Sequence, residues 1–453
     1  MSFAGVRTIV GSSSGTRAPS EPPQRPADPG LPPRGSAPPK RGGAHPSSRP
    51  LRLGIVFYNH PSYRDTAIPH VESEIAEHLT RRGHHIVAYC PVEREVELPP
   101  WRGVELVGVP CRTIRGPPWW IGVEMPLRVA LRLDGSLDVL ILNGEPGAWL
   151  AFLSGRRHGA VGIFVVHGLI YRALEHRRAP TVRLRLRDRL LRRCAQLGER
   201  FSARIADLCI AGSRRLAPEI AEGLGVRAER IASVPNGVAP REPRGAEERQ
   251  DARRRLGLPE GVFYAVFVGG EYLRKGLDVA RAAVRRAQAL GVPVVLLTVG
   301  NFSPPIESEV GYGWVDEATK WRILTAGDAF LFPTRYEAYS LAVREAAAVG
   351  LPLITTPQAG VDEGVNGRDY ILCEPTDVEG FAQALGRLYR DPTWAAALAA
   401  RGHDVVASWT FEKQAIGWET EILRVRRERD NRSHRVGPPR PSSKGARSSG
   451  DRN

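Results

Sequence analysis

Residues 332–356 read FPTRYEAYSLAVREAAAVGLPLITT. The apolar run DAFLFPT, ending at Thr334, predicts a strand, and LPLITT from Leu351 predicts another. Between them a polar loop passes into an alanine-rich segment of helical character, so the stretch reads as strand, loop, helix and strand. That alternation implies a parallel sheet covered by helices. Upstream, VFYAVFVGG (262–270) and VPVVLLTVG (292–300) extend the same alternation, and a Rossmann-like unit begins near Gly261.

Further upstream the pattern occurs a second time. LRLGIVFY from Leu51, HHIVAYC, LDVLILN, VGIFVVHG and ADLCIAGS are apolar runs separated by longer amphipathic segments. Runs such as Val139–Leu142 and Ile163–Val166 suit strands buried on both faces. Polar or glycine residues follow them: Asn59 and His60, Asn143 and Gly144, His167 and Gly168, Gly212 and Ser213. In doubly wound sheets ligands bind at such carboxyl ends, so two units should leave a cleft with the active site in it.

The expected organisation is a Pro/Ser/Arg-rich disordered tail over 1–50, a Rossmann-like domain over 51–240 and a charged linker over 241–257. A second Rossmann-like domain over 258–410, a helix over 411–427 that crosses back, and a disordered basic tail over 428–453 complete it. Two domains also suit 453 residues.

Hydrophobic residues make up 42% and charged residues 25%, the balance of a soluble globular protein. The net charge of +15 comes mostly from arginine and partly from the tails. No aromatic-interleaved basic motif accompanies it, which argues against nucleic acid as a partner. Cys90, Cys111, Cys194, Cys209 and Cys373 are scattered, contain no C-x-x-C pair and read as core residues in a reducing compartment. With no long apolar run and no leader pattern, the expected location is cytoplasmic, with contact at the inner membrane face left open.

Glu337 and Glu345 lie eight positions apart across the loop-to-helix transition. Tyr339, Ser340 and Leu341 stand at the expected helix start, where unpaired amides and the helix dipole favour a phosphate, so a diphosphate fits beside them. Glu345, a turn further on, is placed to accept from ribose hydroxyls, and Glu337 to reach those of a sugar. For either acid alone, a solvated residue near a helix start is the plainer reading. The position of Lys275 after an apolar strand suits a cation facing phosphate.

Glu-x7-Glu followed by A-x3-G-L-P-L-I-T-T resembles the retaining GT-B glycosyltransferases of family 4. So do Asn236-Gly237-Val238 after IASVP, VGGEYLRKGLD, AGDAFLFPTRYEAYS, Gly364–Gly367 and PTDVEGFAQAL. The resemblance spans about Leu51 to Arg427. It implies an α/β GT-B fold, two facing Rossmann-like domains, the first for an acceptor and the second for a nucleotide-sugar donor. It implies transfer of a sugar to an acceptor hydroxyl with retained anomeric configuration, in glycan, glycolipid or polysaccharide biosynthesis.

By the same resemblance Lys275 neutralises the donor diphosphate, Glu345 holds the ribose, Glu337 holds the transferred sugar and His167 lies beside that sugar. The sequence departs from the family in having Gly270 where an arginine is common, with Arg274 beside Lys275 as a substitute. The glycine-rich loop after the first strand is replaced by NHPSYRDTAIPHVESE, in which His70 and Glu72 have no assigned role. No Asp-x-Asp pair occurs, and a reaction without metal or cofactor is expected. A sugar-nucleotide epimerase and a non-catalytic sugar-nucleotide-binding subunit are the alternatives.

Two further features read as architecture. Asn236-Gly237 suits a tight turn at positive φ. In RAPTVRLRLRDRLLRRCAQLGERFSARIADL, Leu186, Leu190, Cys194, Leu197, Phe201 and Ile205 fall at helical spacing and read as a core-facing stripe. The crowding arginines there suit a solvated face or an anionic membrane carrying a lipid-linked acceptor.

Overall fold

The computed structural model describes residues 49–58, 67–112, 118–176, 182–270, 272–300 and 304–435. The tail expected over 1–50 thus lies outside them apart from Arg49 and Pro50, as do Asn59 and His60.

The first half opens with β1 (Arg52–Val56), α1 (Ala67–Arg81), β2 (His85–Val92), β3 (Glu105–Pro110) and α2 (Pro118–Ala130). It continues with β4 (Val139–Asn143), α3 (Ala148–Arg157), β5 (Val161–Val166), α4 (Ile170–Ala173) and α5 (Val182–Ile205). β6 (Leu208–Ala211), α6 (Leu216–Leu224) and β7 (Ile231–Ser233) close it. The seven strands form one parallel sheet in the order β3-β2-β1-β4-β5-β6-β7.

The second half holds α7 (Ala246–Leu256), β8 (Phe263–Val268), α8 (Leu277–Ala289), β9 (Val294–Val299), β10 (Glu309–Gly311) and α9 (Glu317–Ala326). β11 (Ala329–Phe332), α10 (Leu341–Ala348), β12 (Leu353–Thr355) and β13 (Ile371–Leu372) follow, then α11 (Val378–Arg390), α12 (Pro392–Ala407) and α13 (Phe411–Arg435). Its sheet is also parallel, ordered β10-β9-β8-β11-β12-β13. Both units are Rossmann-like. The strand order turns back between β1 and β4 in one sheet and between β8 and β11 in the other, which opens a crevice at each carboxyl edge.

The central strands are the apolar runs read from the sequence; β4 and β5 are buried at every residue. The four edge strands, β3, β7, β10 and β13, are short or half-exposed and carry no such run. An edge strand covered on fewer sides needs less apolar sequence, so it leaves a weaker pattern.

Several expectations change. The stretch read as a linker over 241–257 contains α7, whose Arg249 and Arg253 reach Asp328 at 3.0 and 2.6 Å, so it is part of the second unit. The last helix continues to Arg435, through residues assigned to the basic tail, and of that tail the residues beyond 435 lie outside the described residues.

α13 returns to the first half. Phe411, Ala415, Trp418, Ile422 and Val425 join the cluster built on β1 and α1, and Glu419 accepts from His84 at 2.9 Å. His70 packs edge-on against Phe411 with ring centroids 5.3 Å apart, which ties it to this packing.

Gly237 is not at positive φ. A Cβ there would lie 2.2 Å from the Phe411 amide nitrogen and 2.4 Å from the Thr410 carbonyl carbon, so close backbone approach is what requires glycine. Gln414 completes the junction, accepting from the Gly237 amide at 2.8 Å and donating to Asn236 at 3.0 Å.

The stripe on α5 faces outward. Leu186, Leu190, Leu197 and Phe201 are exposed, as is Cys194, which is therefore not a core cysteine. The helix instead buries its small residues Ala195, Ser202 and Ala203. At Gly198 a Cβ would come within 2.4 Å of the Pro146 side chain, so the small face allows an approach that the large one would block.

Candidate active site between the two sheets

The loops after β8 and β11 flank the switch point of the second sheet and are bonded to each other. Arg335 donates its amide to the Arg274 carbonyl at 2.8 Å, and its guanidinium forks onto Asp278 at 2.8 and 2.7 Å. Gly276, at φ +80°, lets the first loop pass under the second: a Cβ there would collide with the Pro333 carbonyl oxygen.

This frame brings Arg274, Lys275 and Glu337 together. The Glu337 carboxylate lies 3.0 Å from the Arg274 guanidinium and 3.0 Å from Lys275 Nζ. Burial alone would raise its pKa, but the two cations outweigh that and hold the carboxyl below its ordinary range.

α10 begins immediately beyond. Ser340 caps it, its hydroxyl accepting from the Val343 amide while its own amide donates to the Ala359 carbonyl at 3.1 Å. Among the described hydrogen bonds the first-turn amides of Leu341 and Ala342 have no acceptor. Tyr339 is buried, and its hydroxyl donates to Glu363 at 2.9 Å.

Glu345 follows one turn later but does not meet Lys275. Its partner is Lys320 of α9 at 2.8 Å, which also holds Glu317 at 2.7 Å. Burial raises the Glu345 carboxyl despite Lys320. The single cluster of cations and acids expected from sequence is thus two ion pairs, one on each side of the α10 N-terminus.

From the first sheet, the loop after β5 brings His167 to this edge. A Cβ on Gly168 would lie 3.4 Å from the Ala338 side chain, and the Leu169 amide donates to the Tyr336 hydroxyl at 3.0 Å. His167 is therefore next to the Glu337 loop. Its Nε2 lies 3.0 Å from Asn143 Oδ1, while Asn143 Nδ2 donates to the Val56 carbonyl. That orientation makes Nε2 the protonated nitrogen and leaves Nδ1 as an acceptor. Burial lowers the His167 pKa to about 4, so the ring is neutral.

Near it stand Tyr58 after β1, Glu72 of α1 and Glu145 after β4. Glu72 is 1% exposed, and Asn143 is the side chain nearest to bonding its carboxylate, too loosely aligned to satisfy either oxygen. Burial, with Glu145 nearby, pushes its pKa well above the carboxylate range; burial does the same to Glu145. The first sheet thus offers buried carboxyls whose ionisation burial disfavours beside a neutral imidazole, and the second offers charged pairs.

Lys320, Tyr336 and Glu145 were not read from the sequence as site residues, and Asn143 was marked only as a polar strand end. Each enters through a contact between elements distant in the chain, and no local pattern marks such a contact. Among the described residues no group of three His, Cys, Asp or Glu side chains is arranged to hold a metal ion.

The Glycosyltransferase Family 4 domain matches residues 72–242, and the Glycosyl transferases group 1 domain matches residues 263–391. The chain belongs to the family 4, group 1 glycosyltransferases, and its fold is GT-B. It is 29% identical over 255 residues to a glycogen synthase of Mycobacterium tuberculosis, covering 52% of this chain and 58% of that one. It is 27% identical over 316 residues to a D-inositol 3-phosphate glycosyltransferase of Streptosporangium roseum, covering 63% and 66%. The chain thus spans under two thirds of the length of these curated relatives. In fold it is similar to sucrose-phosphate synthase of Thermosynechococcus elongatus, with TM-score 0.68 and 17% identity over 83% of this chain and 99% of that one.

Proposed function

We propose that this protein transfers a glycosyl group from a nucleotide-diphosphate sugar to an acceptor hydroxyl with retention of anomeric configuration. The observation that carries the reading is the α10 N-terminus flanked by the Glu337–Lys275–Arg274 and Glu345–Lys320 ion pairs, beside neutral His167. The donor diphosphate lies at the Leu341 and Ala342 amides with Lys275 and Arg274 alongside, Glu345 takes the ribose hydroxyls and Glu337 those of the sugar. The half-buried cations stabilise charge that grows on the departing nucleotide, where their effect is largest.

The bond from the anomeric carbon to the phosphate oxygen breaks, and the acceptor oxygen bonds on the same face. The acceptor proton passes to the phosphate oxygen that leaves. His167 Nδ1 accepts from a sugar hydroxyl, and the buried Glu72 with Glu145 and Tyr58 receives a hydroxyl-bearing acceptor. No metal or cofactor takes part in this scheme. The family setting supports a role in glycan, glycolipid or polysaccharide biosynthesis.

The test is a panel of UDP-, GDP-, ADP- and dTDP-sugars, read by melting temperature and by nucleotide release. One donor should stabilise the wild type, since a ligand that binds only the folded chain shifts its equilibrium. Lys275→Ala and Glu345→Ala should lose both signals, and the product's anomeric configuration by NMR should match the donor's. Binding without turnover on any acceptor would favour the non-catalytic alternative, and an altered sugar recovered on the nucleotide would favour the epimerase.

A further inference from the structure

The outer face of α5 is covered neither by the protein's own core nor by any other described element. Leu186, Leu190, Leu197 and Phe201 are 60, 63, 54 and 58% exposed, and the exposed Cys194 lies among them. At about 100° per residue these five positions fall within an arc of roughly 80°. The buried Ala195, Glu199 and Ser202 occupy the opposite side. This is a continuous apolar stripe along most of a 24-residue helix.

Its flanks are basic. The helix carries eight arginines against Asp188 and Glu199. Glu199 is turned inward, where it accepts from the amides of Ile170 and Tyr171, so the outer face has almost no negative charge. Arg189, Arg193 and Arg200 border the stripe, exposed and without a carboxylate partner among the described residues.

We propose that this face of α5 docks on an anionic lipid surface. Leucine and phenylalanine side chains enter the acyl boundary while the flanking guanidinium groups stay at the level of the phosphates, an arrangement that uses both halves of the helix surface. A second copy of the same face fits poorly, because self-pairing would bring arginine rows against each other. A polyanion without an apolar phase would leave the stripe uncovered.

The docked helix is tied through Glu199 to the segment that follows His167, so docking holds the mouth of the cleft at the membrane. The inference stands independently of the donor reading, because no residue of the stripe belongs to the ion pairs around α10.

The experiment is sedimentation of the full chain with vesicles of phosphatidylcholine alone or mixed with phosphatidylglycerol. The wild type should bind the anionic vesicles and not the neutral ones. The pair Leu190→Glu and Phe201→Glu, and separately the triple Arg189→Glu, Arg193→Glu and Arg200→Glu, should each lose more than about tenfold in partition. All five side chains are exposed, and a melting temperature close to that of the wild type confirms that each variant folds. An environment-sensitive fluorophore on Cys194 should shift to the blue on anionic vesicles. Vesicle binding equal to wild type in both variants would place the interaction on the basic tails and overturn the proposal. So would no binding by the wild type, or a dimer in solution that Leu190→Glu with Phe201→Glu dissolves.

Discussion

Glu337 and Glu345 lie eight positions apart in one motif, yet the fold puts them in opposite electrostatic conditions. Glu337 has two cations and is held ionised; Glu345 is paired with Lys320, with Arg241 further off, and is raised by burial. Glu345→Ala leaves the half-buried Lys320 its second partner Glu317 at 2.7 Å, so it should cost less than the about 3–5 kcal/mol of a buried pair whose remaining charge is uncompensated. Replacing both partners by apolar residues, Glu345→Leu with Lys320→Met, should recover most of that loss in urea melts. Donor stabilisation should stay absent in the double variant. If the double variant still binds the donor, Glu345 supports the fold and not the ribose.

At the scale of elements, the junction of α13 with the first sheet depends on one missing side chain. Gly237 touches the backbone of Thr410 and Phe411, which cannot rotate away as a flexible side chain could. Gly237→Ala should therefore destabilise by about 1–3 kcal/mol, as overpacking does, seen as a lower denaturation midpoint. An unchanged midpoint would mean that the chain before α13 shifts freely. The same scale separates what a pattern reveals from what it hides. Long apolar runs announced the central strands, while the edge strands, buried on fewer sides, had no such run. On α5 the periodicity was real, but a stripe has two possible destinations, and the small residues took the core side.

For the whole molecule, stability should respond to pH with two opposed slopes. His167 has its pKa lowered to about 4 by burial, against an ordinary 6.5. Its contribution is complete above 6.5 and is lost as pH falls toward 4, because only the unfolded chain takes up the proton. Glu199 is raised to about 8 by burial, against the lowering pull of the Ile170 and Tyr171 amides. Its contribution is complete below the ordinary 4.5 and is lost as pH rises toward 8. Melting temperature followed across pH should therefore lose part of its acid-side decline in His167→Gln and part of its alkaline-side decline in Glu199→Gln. Parallel curves for wild type and variants would show that these groups titrate alike in the folded and unfolded chains.

The sequence by itself determined two parallel sheets with helices over them, the helix-start segment at a carboxyl edge, and Glu337, Glu345 and Lys275 as residues to watch, while the role of His167 was added by the family resemblance alone. Apart from that role, these depend on periodicity and spacing along the chain, which are local. Only the tertiary structure decided that Lys275 meets Glu337 and that Lys320 meets Glu345. It also decided that the run over 241–257 folds as α7, and that α5 turns its large apolar side chains outward. Those outcomes are set by which distant surfaces close against each other, where a glycine's missing side chain or a partner's charge outweighs any local pattern.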